Sequence, residues 1–480
     1  MAAQVLPMFD QDDGRCSESG DWKARFLAFV GQCLEELLDR FCMDKLSEIT
    51  STIFNHKAHI LGQMVLAFIR KRHGALLEQE RCHCPKCGKV LKKRAMHKRQ
   101  VETLAGQFEI ERPYFYCTPC SLGVYPLDEA LGLSPSSKQD DVQSVGVWLA
   151  TELPYELASE TFRRCTGMQF SAHSLHESVN RVAEGLNILD TCPSKAEVEE
   201  KIARIAEGKR WRPVMMMTID GAKEPVRPEP SPRKGKRGKG DWKEVKGFRL
   251  YLLDGDRIDH VLSWHQMESD REMAEALSIL KEAGLIPEES VRLCVVADGA
   301  VWIWNRIEEL FPGARQVLDY YHCAEYLHKV AAAQYGKGTS QAVEWVQATL
   351  TRLSLGEYRH VLAGLKRMKA VSAEAAKLID NAIVHLGRNS DRLNYASARR
   401  GGFHIGSGAI ESANKMICHN RLKRSGAWWY PSCANNVLKL RCAKYNRTYD
   451  RVIDLFRQRH PLGVKRWTKN QGSQETHDLS

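Results

Sequence analysis

No stretch of this chain approaches the ~18 consecutive apolar residues of a membrane-spanning helix, and its opening residues, MAAQVLPMFDQDDGRCSESGDW, hold no apolar core of a secretion signal. Both absences argue against export and membrane insertion. An acidic excess is missing too: 70 Lys and Arg against 59 Asp and Glu leave a formal charge of +11. That balance favours a polyanionic partner, although a basic surface also serves solubility or contact with an acidic membrane. Nor is there a disulfide framework. The 15 cysteines are odd in number and scattered through helix-like and strand-like segments, which fits a reducing cytoplasm. Length is not lacking, since 480 residues suffice for roughly two to four domains.

Against these absences stand three acidic residues on three different backbones. Asp220 closes the apolar run VMMMTI, and Asp298 closes VRLCVVA. Glu411 lies just past Gly406-Ser407-Gly408 in GSGAIESANK, which reads as the start of a helix. Mg²⁺ prefers a few hard oxygen ligands plus water and substrate phosphates. Two such ions, roughly 3.5–4 Å apart, activate an attacking oxygen and stabilise a leaving one in phosphodiester chemistry. Two strand-end carboxylates and one helix carboxylate suit a pair of Mg²⁺ (or Mn²⁺) ions. Any α/β protein places Asp at strand ends, so the weight comes from the surroundings. Past Glu411, the cations Lys415, Arg421, Lys423 and Arg424 can hold phosphates, and Trp428, Trp429 and Tyr430 can stack on bases. At least one of the two tryptophans is expected in the core. Glu411 and Lys415 are i,i+4 neighbours and share a helix face. Glu325 and Asp319 compete with Glu411 for the third ligand position.

The rest of the chain divides by pattern. Residues 1–80 read as helical, with Phe26, Phe29, Val30 and Cys33 at helical spacing, a bundle or dimerisation module without chemistry. Residues 81–125 carry two CxxC pairs, Cys84/Cys87 and Cys117/Cys120, around hairpin-like strands. Four thiolates in two knuckles are the tetrahedral set of a structural Zn²⁺, with Cys82 and His83 as alternative ligands. Residues 137–190 have the form helix, Gly167 turn, helix. As a helix-turn-helix, the second helix, capped by Ser171 or Ser174, would offer His173, His176, Asn180 and Arg181 to a DNA groove. Residues 211–322 run strand, strand, strand, helix, strand, helix, with the first acid on the first strand and the second on the fourth. That is the order of an RNase H-like fold. Between its first two strands lies a Pro-, Gly- and Lys-rich loop in which Lys234, Lys236, Arg237 and Lys239 can track phosphates. Residues 323–400 read as a helical insertion, with Trp345 in its core. Residues 401–446 return to the catalytic domain as helix, and 447–480 form a basic tail.

Taken together, TIDG, VADGA, VLDYYH and GSGAIESANK followed by RLKRSGAWW resemble the DDE transposases of bacterial insertion sequences, nearest to the ISKra-type family. The resemblance implies an RNase H-like catalytic domain whose two divalent metals sit on Asp220, Asp298 and Glu411. Asp319 and His322 match the D-x-x-H signature of the related Mutator-like group. Either they touch metal or DNA, or they only shape the site, Asp319 orienting His322. The resemblance also implies binding of double-stranded DNA, both transposon terminal inverted repeats and target, by a homo-oligomer assembled on DNA in the bacterial nucleoid. The alternatives are a repurposed transposase that only binds DNA and an RNase H-like nuclease or resolvase without strand transfer.

Overall fold

The computed structural model describes residues 21–40, 45–227, 240–459 and 464–466. The chain divides into two compact units, Met1–Ser178 with Ile453–Ser480, and Val179–Val452.

In the first unit, helices α1 (Asp21–Arg40) and α2 (Leu46–Leu77) precede a sheet of β1 (Arg81–His83), β2 (Val90–Thr103), β3 (Gly106–Cys117) and β4 (Leu122–Val124), hydrogen-bonded in that order and antiparallel throughout. The alternation in β3 buries Phe108 and Ile110 while Gln107 and Glu109 face solvent. The helices were expected as a separate module. Instead Leu66 and Ile69 of α2 pack on Val101, Phe108 and Ile110 in one core. The approach is close enough that a Cβ on Gly62 would lie 2.1 Å from the Gln107 carbonyl oxygen. Buried Arg112 grips Asp128 through two hydrogen bonds of 2.6 and 2.9 Å, and so ties β3 to the short helix α3 (Pro126–Ala130). Then come α4 (Asp140–Glu152), α5 (Tyr155–Thr166) and α6 (Ala172–Ala183).

The second unit continues through a 3₁₀ turn, Leu189–Thr191, and α7 (Lys195–Ala206) to a second sheet. Its strands are β5 (Val214–Val226), β6 (Asp241–Asp254), β7 (Arg257–Gln266), β8 (Arg292–Ala297) and β9 (Arg315–Leu318), in the order β7-β6-β5-β8-β9. Strands β5, β6 and β7 form an antiparallel meander, whereas β8 and β9 run parallel to β5. Parallel neighbours need crossovers, and α8 (Asp270–Glu282) and α9 (Val301–Leu310) supply them. Residues 214–219 of β5 are all buried, which explains why they read as an unbroken apolar run. Asp220 does not end its strand. Pairing with β6 runs on to Val226, and only the pairing with β8 stops, at Ile219↔Ala297. Asp220 therefore sits where β5 loses one neighbour and a crevice opens.

After β9 the insertion is helical: α10 (Tyr320–Tyr335), α11 (Ser340–Ser354), α12 (Tyr358–Arg367), α13 (Ala373–Arg388) and α14 (Tyr395–Arg400). Trp345 packs there against Ala331, Ala342 and Val346. The chain returns through α15 (Gly408–Ala413), a π-helical turn Asn414–His419, α16 (Asn420–Leu422) and α17 (Pro431–Tyr445), which lies against β7. The described residues of the expected tail are 447–459 and 464–466. They form α18 (Tyr449–Arg459), and β10 (Val464–Arg466) adds antiparallel to the edge of β4.

Candidate active site

Asp220 and Asp298 follow the last parallel pair, Ile219↔Ala297, so they stand side by side where the pairing of β5 with β8 stops. Asp298 Oδ1 accepts the Ala300 N–H at 3.0 Å. Asp220 is braced twice: Oδ1 accepts the Gly221 N–H at 2.8 Å and Oδ2 accepts the Asn414 amide Nδ2–H at 2.9 Å. Burial, partly offset by the Gly221 hydrogen bond, pushes the Asp220 carboxyl up to about 6, and the charges of Asp298, Glu411 and Asp319 add to the rise. Asp298, Glu411 and Asp319 thus all lie near enough to act on Asp220.

Glu411 reaches this cluster from α15, with Ser407 at the start of that helix. The Ser407 hydroxyl lies 3.3 Å from Glu411 Oε1 and also donates to Asp319 Oδ2. Asp319 is 3% exposed, and its other oxygen caps α10 by accepting the N–H groups of Tyr321 (2.7 Å) and His322 (3.4 Å). Both of its oxygens are engaged within the protein, so Asp319 works as a brace between α10 and the Glu411 helix. Glu325 points elsewhere, 63% exposed and 3.6 Å from Lys329. His322 stacks edge-on with Tyr326 and with His385 of α13, while Tyr326 and His385 lie face to face, centroids 4.3 Å apart. His385 crowds Gly299, next to Asp298: a Cβ there would meet its ring at 2.3 Å. Burial, then the charge of His322, lowers the His385 pKa to about 4, against an opposing pull from Asp298.

The carboxylates are hard oxygen donors of the kind Mg²⁺ and Mn²⁺ take. On that ground the residues fit such ions. Among the described residues, only Cys84, Cys87, Cys117 and Cys120 form a set of three or more His, Cys, Asp or Glu with ligand atoms all within 4.8 Å. Asp220, Asp298 and Glu411 do not form such a set. The four thiols come from two turns at one end of the first sheet, with Cys87 Sγ 3.6 Å from Cys117 Sγ, and can hold a metal such as zinc. Burial raises the Cys84 pKa, but the backbone N–H groups of Cys87 and Lys86 outweigh it and leave the thiol at about 7. Cys82 and His83 fall outside this set.

The basic and aromatic candidates separate. Lys415, Lys423 and Arg424 are exposed, and Trp428 is 41% exposed. Arg421 is 3% exposed, its guanidinium 4.6 Å from the centre of the buried Trp429 ring. Trp429 Nε1–H donates to the Leu422 carbonyl at 3.1 Å, and its backbone pairs with Pro225 and Arg227 at the end of β5. Arg421 and Trp429 thus belong to packing, not to a DNA-facing surface, because the chain around them completes the sheet edge. Lys234, Lys236, Arg237 and Lys239 lie outside the described residues.

Between α5 and α6, Gly167 turns with φ of 76° and Ser171 Oγ caps the second helix by accepting the Ser174 N–H at 3.1 Å. His173 is exposed beside Glu177, but His176 packs edge-on against Tyr155. Asn180 accepts a 3.0 Å hydrogen bond from Asn436, and Arg181 is half-buried. Asn180 is therefore engaged within its own unit. Sequence pattern did not single out Asn414, Ser407, His265, Tyr326 or His385. Asn414 and Ser407 flank Glu411 in GSGAIESANK and were within reach of it; the other three carry no local signal.

No curated protein matches the chain. Among solved structures, the Drosophila P element transposase strand transfer complex aligns at 11% identity over 67% of this chain and 81% of that chain, with a TM-score of 0.24, too loose a superposition to support a shared architecture. Residues 43–459 match the model of an uncharacterised protein family, UPF0236, and the chain belongs to that family.

Proposed function

We propose that this protein is a DDE transposase with an RNase H-like catalytic domain, of the ISKra type, which cleaves transposon-end DNA and joins the freed 3′-OH to target DNA. The observation that carries this reading is the meeting of Asp220, Asp298 and Glu411. They come from the point in β5 where its pairing with β8 stops, from the end of β8 and from a helix beyond a long insertion, yet Asp298 and Glu411 both raise the pKa of Asp220. Two Mg²⁺ or Mn²⁺ ions on these three acids would supply activation of the attacking oxygen and neutralisation of the leaving one.

The protein's own contribution is position and charge. Gly221 and Asn414 hold Asp220, Ala300 holds Asp298, and the Asp319–Ser407 hydrogen bond braces the start of the helix that carries Glu411. Exposed Lys415, Lys423 and Arg424 would take phosphates, with the α5–α6 module and Lys234, Lys236, Arg237 and Lys239, between β5 and β6 in sequence, as further DNA contacts. Each chemical step is a direct in-line displacement: water breaks a phosphodiester to free the 3′-OH, and that hydroxyl then attacks a target phosphodiester and expels its 3′-oxygen. No protein nucleophile is needed. The thiols nearest the sheet suit none, since burial pushes Cys294 and Cys323 to about 12. The four clustered cysteines take a structural zinc, and the DNA-bound form is a homo-oligomer in the bacterial nucleoid.

The test is joining of a pre-cleaved 3′-OH end, taken from the DNA flanking the gene, to a plasmid in Mg²⁺. Wild-type protein should join it. Asp220→Asn, Asp298→Asn and Glu411→Gln should each lose joining and cleavage while still binding DNA, and Glu325→Gln should stay active. Nicking without joining would favour the nuclease or resolvase, and DNA binding with neither would favour the repurposed binding protein. An active Glu411→Gln would move the third ligand elsewhere.

A further inference from the structure

We infer that Asn414 is a positioning residue that aims the Asp220 carboxylate into the acid cluster, and that buried His265 sets the orientation of its amide. The inference rests on Asp220 being a metal ligand in the proposed reading. Its geometry is a row of three residues in register across three strands: Asp220 of β5 lies opposite Gly247 of β6, and Gly247 lies opposite His265 of β7. Directly paired residues share a face of the sheet. His265 is 0% exposed, and its Nε2 lies 3.0 Å from Asn414 Oδ1. Asn414 is 3% exposed, and its Nδ2 lies 2.9 Å from Asp220 Oδ2.

Donor chemistry allows one assignment. A carboxylate only accepts, so the Asn414 atom facing it is the NH₂ group, which turns Oδ1 toward His265. His265 must then carry its proton on Nε2 and donate it. Its Nδ1 has no partner among the described residues, as suits a neutral ring. Were the amide to flip, its oxygen would face Asp220, and two acceptors would repel. His265 forbids the flip.

Gly247 makes the row possible. A Cβ at this position would lie 2.3 Å from the His265 ring, so only glycine lets the imidazole cross β6 to reach Asn414. Asn414 itself opens the π-helical turn, where the winding departs from the α-helical register of α15. Such turns recur at functional sites because they re-aim one side chain without ending the helix.

The test is Mn²⁺ affinity of the full-length, zinc-loaded protein, followed by the spin-resonance signal of free Mn²⁺, with circular dichroism to check the fold. Partners of this kind are worth about 10–100-fold in metal affinity. Asn414→Ala should weaken Mn²⁺ binding by about that factor, and so should His265→Leu and Gly247→Ala. His265→Gln, whose amide can still donate to Oδ1, should recover most of the loss. The double variant His265→Leu/Asn414→Ala should bind no more weakly than Asn414→Ala alone, because His265 acts through Asn414. A folded Asn414→Ala protein with wild-type Mn²⁺ affinity, or additive losses in the double variant, overturns the inference while the proposed reading stands. If Asp220→Asn and Asp298→Asn also bind Mn²⁺ like the wild type, the acids are not metal ligands and both fall.

Discussion

Arg421 and Lys423 sit two residues apart and face opposite ways. Arg421 is buried on Trp429, whereas Lys423 is exposed. A buried guanidinium on an aromatic ring contributes packing as well as charge. Arg421→Ala should therefore cost roughly 1–3 kcal/mol of stability, with no change in how DNA affinity depends on salt. Lys423→Ala or Arg424→Ala should leave stability within about 0.5 kcal/mol and flatten the slope of log affinity against log salt by about 0.9 for each lost phosphate contact. Denaturant unfolding and binding titrations over a salt series measure both quantities. A reduced slope in Arg421→Ala would return that residue to the DNA surface. The contrast shows why a run of cations is a poor map of an interface: RLKR names four residues, and burial sorts them.

At the scale of elements, β7 carries a liability built into its burial pattern. His260 and His265 both lie on it, and burial, first among the causes, drives each down to about 3 from an ordinary value of 6.5. In the unfolded chain both would take up protons near pH 6.5. The folded state binds fewer, so their contribution is complete above that pH and drains as the pH falls toward 3. The loss runs to at most about 1.4 kcal/mol per pH unit for each group. Melting temperature should accordingly fall between pH 6.5 and 4, and His260→Gln should blunt the fall. An equally steep decline in that variant would assign the acid sensitivity elsewhere. The same element holds the His265 end of the Asp220–Gly247–His265 row, so acid that melts β7 should loosen Asp220 as well.

At the scale of the whole molecule, the two units depend on different forces. The second has a five-stranded sheet in which residues 214–219 of β5 and 293–297 of β8 are all buried. The far end of the first is thin: its cluster is Cys82, Cys84, Leu91, Phe115, Cys117, Leu122 and Val124, and three of those seven are cysteines. A core that small would lean on a metal held by the four proposed thiol ligands. Zinc sites in such modules contribute on the order of 10–16 kcal/mol, so Cys84→Ser, Cys117→Ser or strong chelation should unfold residues 81–125 and leave the second unit folded. Hydrogen exchange resolved by segment would show it. Full zinc content with unchanged protection in Cys84→Ser would remove that thiol from the set.

Much of this was legible without coordinates because it is local. A mixed α/β chain of several modules follows from where hydrophobic spacing changes period, and the CxxC pairs announce their cluster by spacing alone. The apolar runs before Asp220 and Asp298 read as buried strand, and residues 214–219 and 293–297 are buried strand. Other features were not legible, because each depends on what comes from far along the chain. Nothing near Arg421 or Trp429 says that Pro225 and Arg227 will pair with that segment and bury them. Asn180 reads as a groove contact until Asn436 arrives across the fold. The role of Asp319 depends on Ser407, some ninety residues later in the chain. The row through Gly247 exists only once three strands lie in register. Backbone preference and periodicity are properties of neighbours in sequence, and the amino-acid order determines them directly. Which side chains are buried, which carboxylates share a field and which amide is held in one orientation are properties of neighbours in space, and only the tertiary structure decides those.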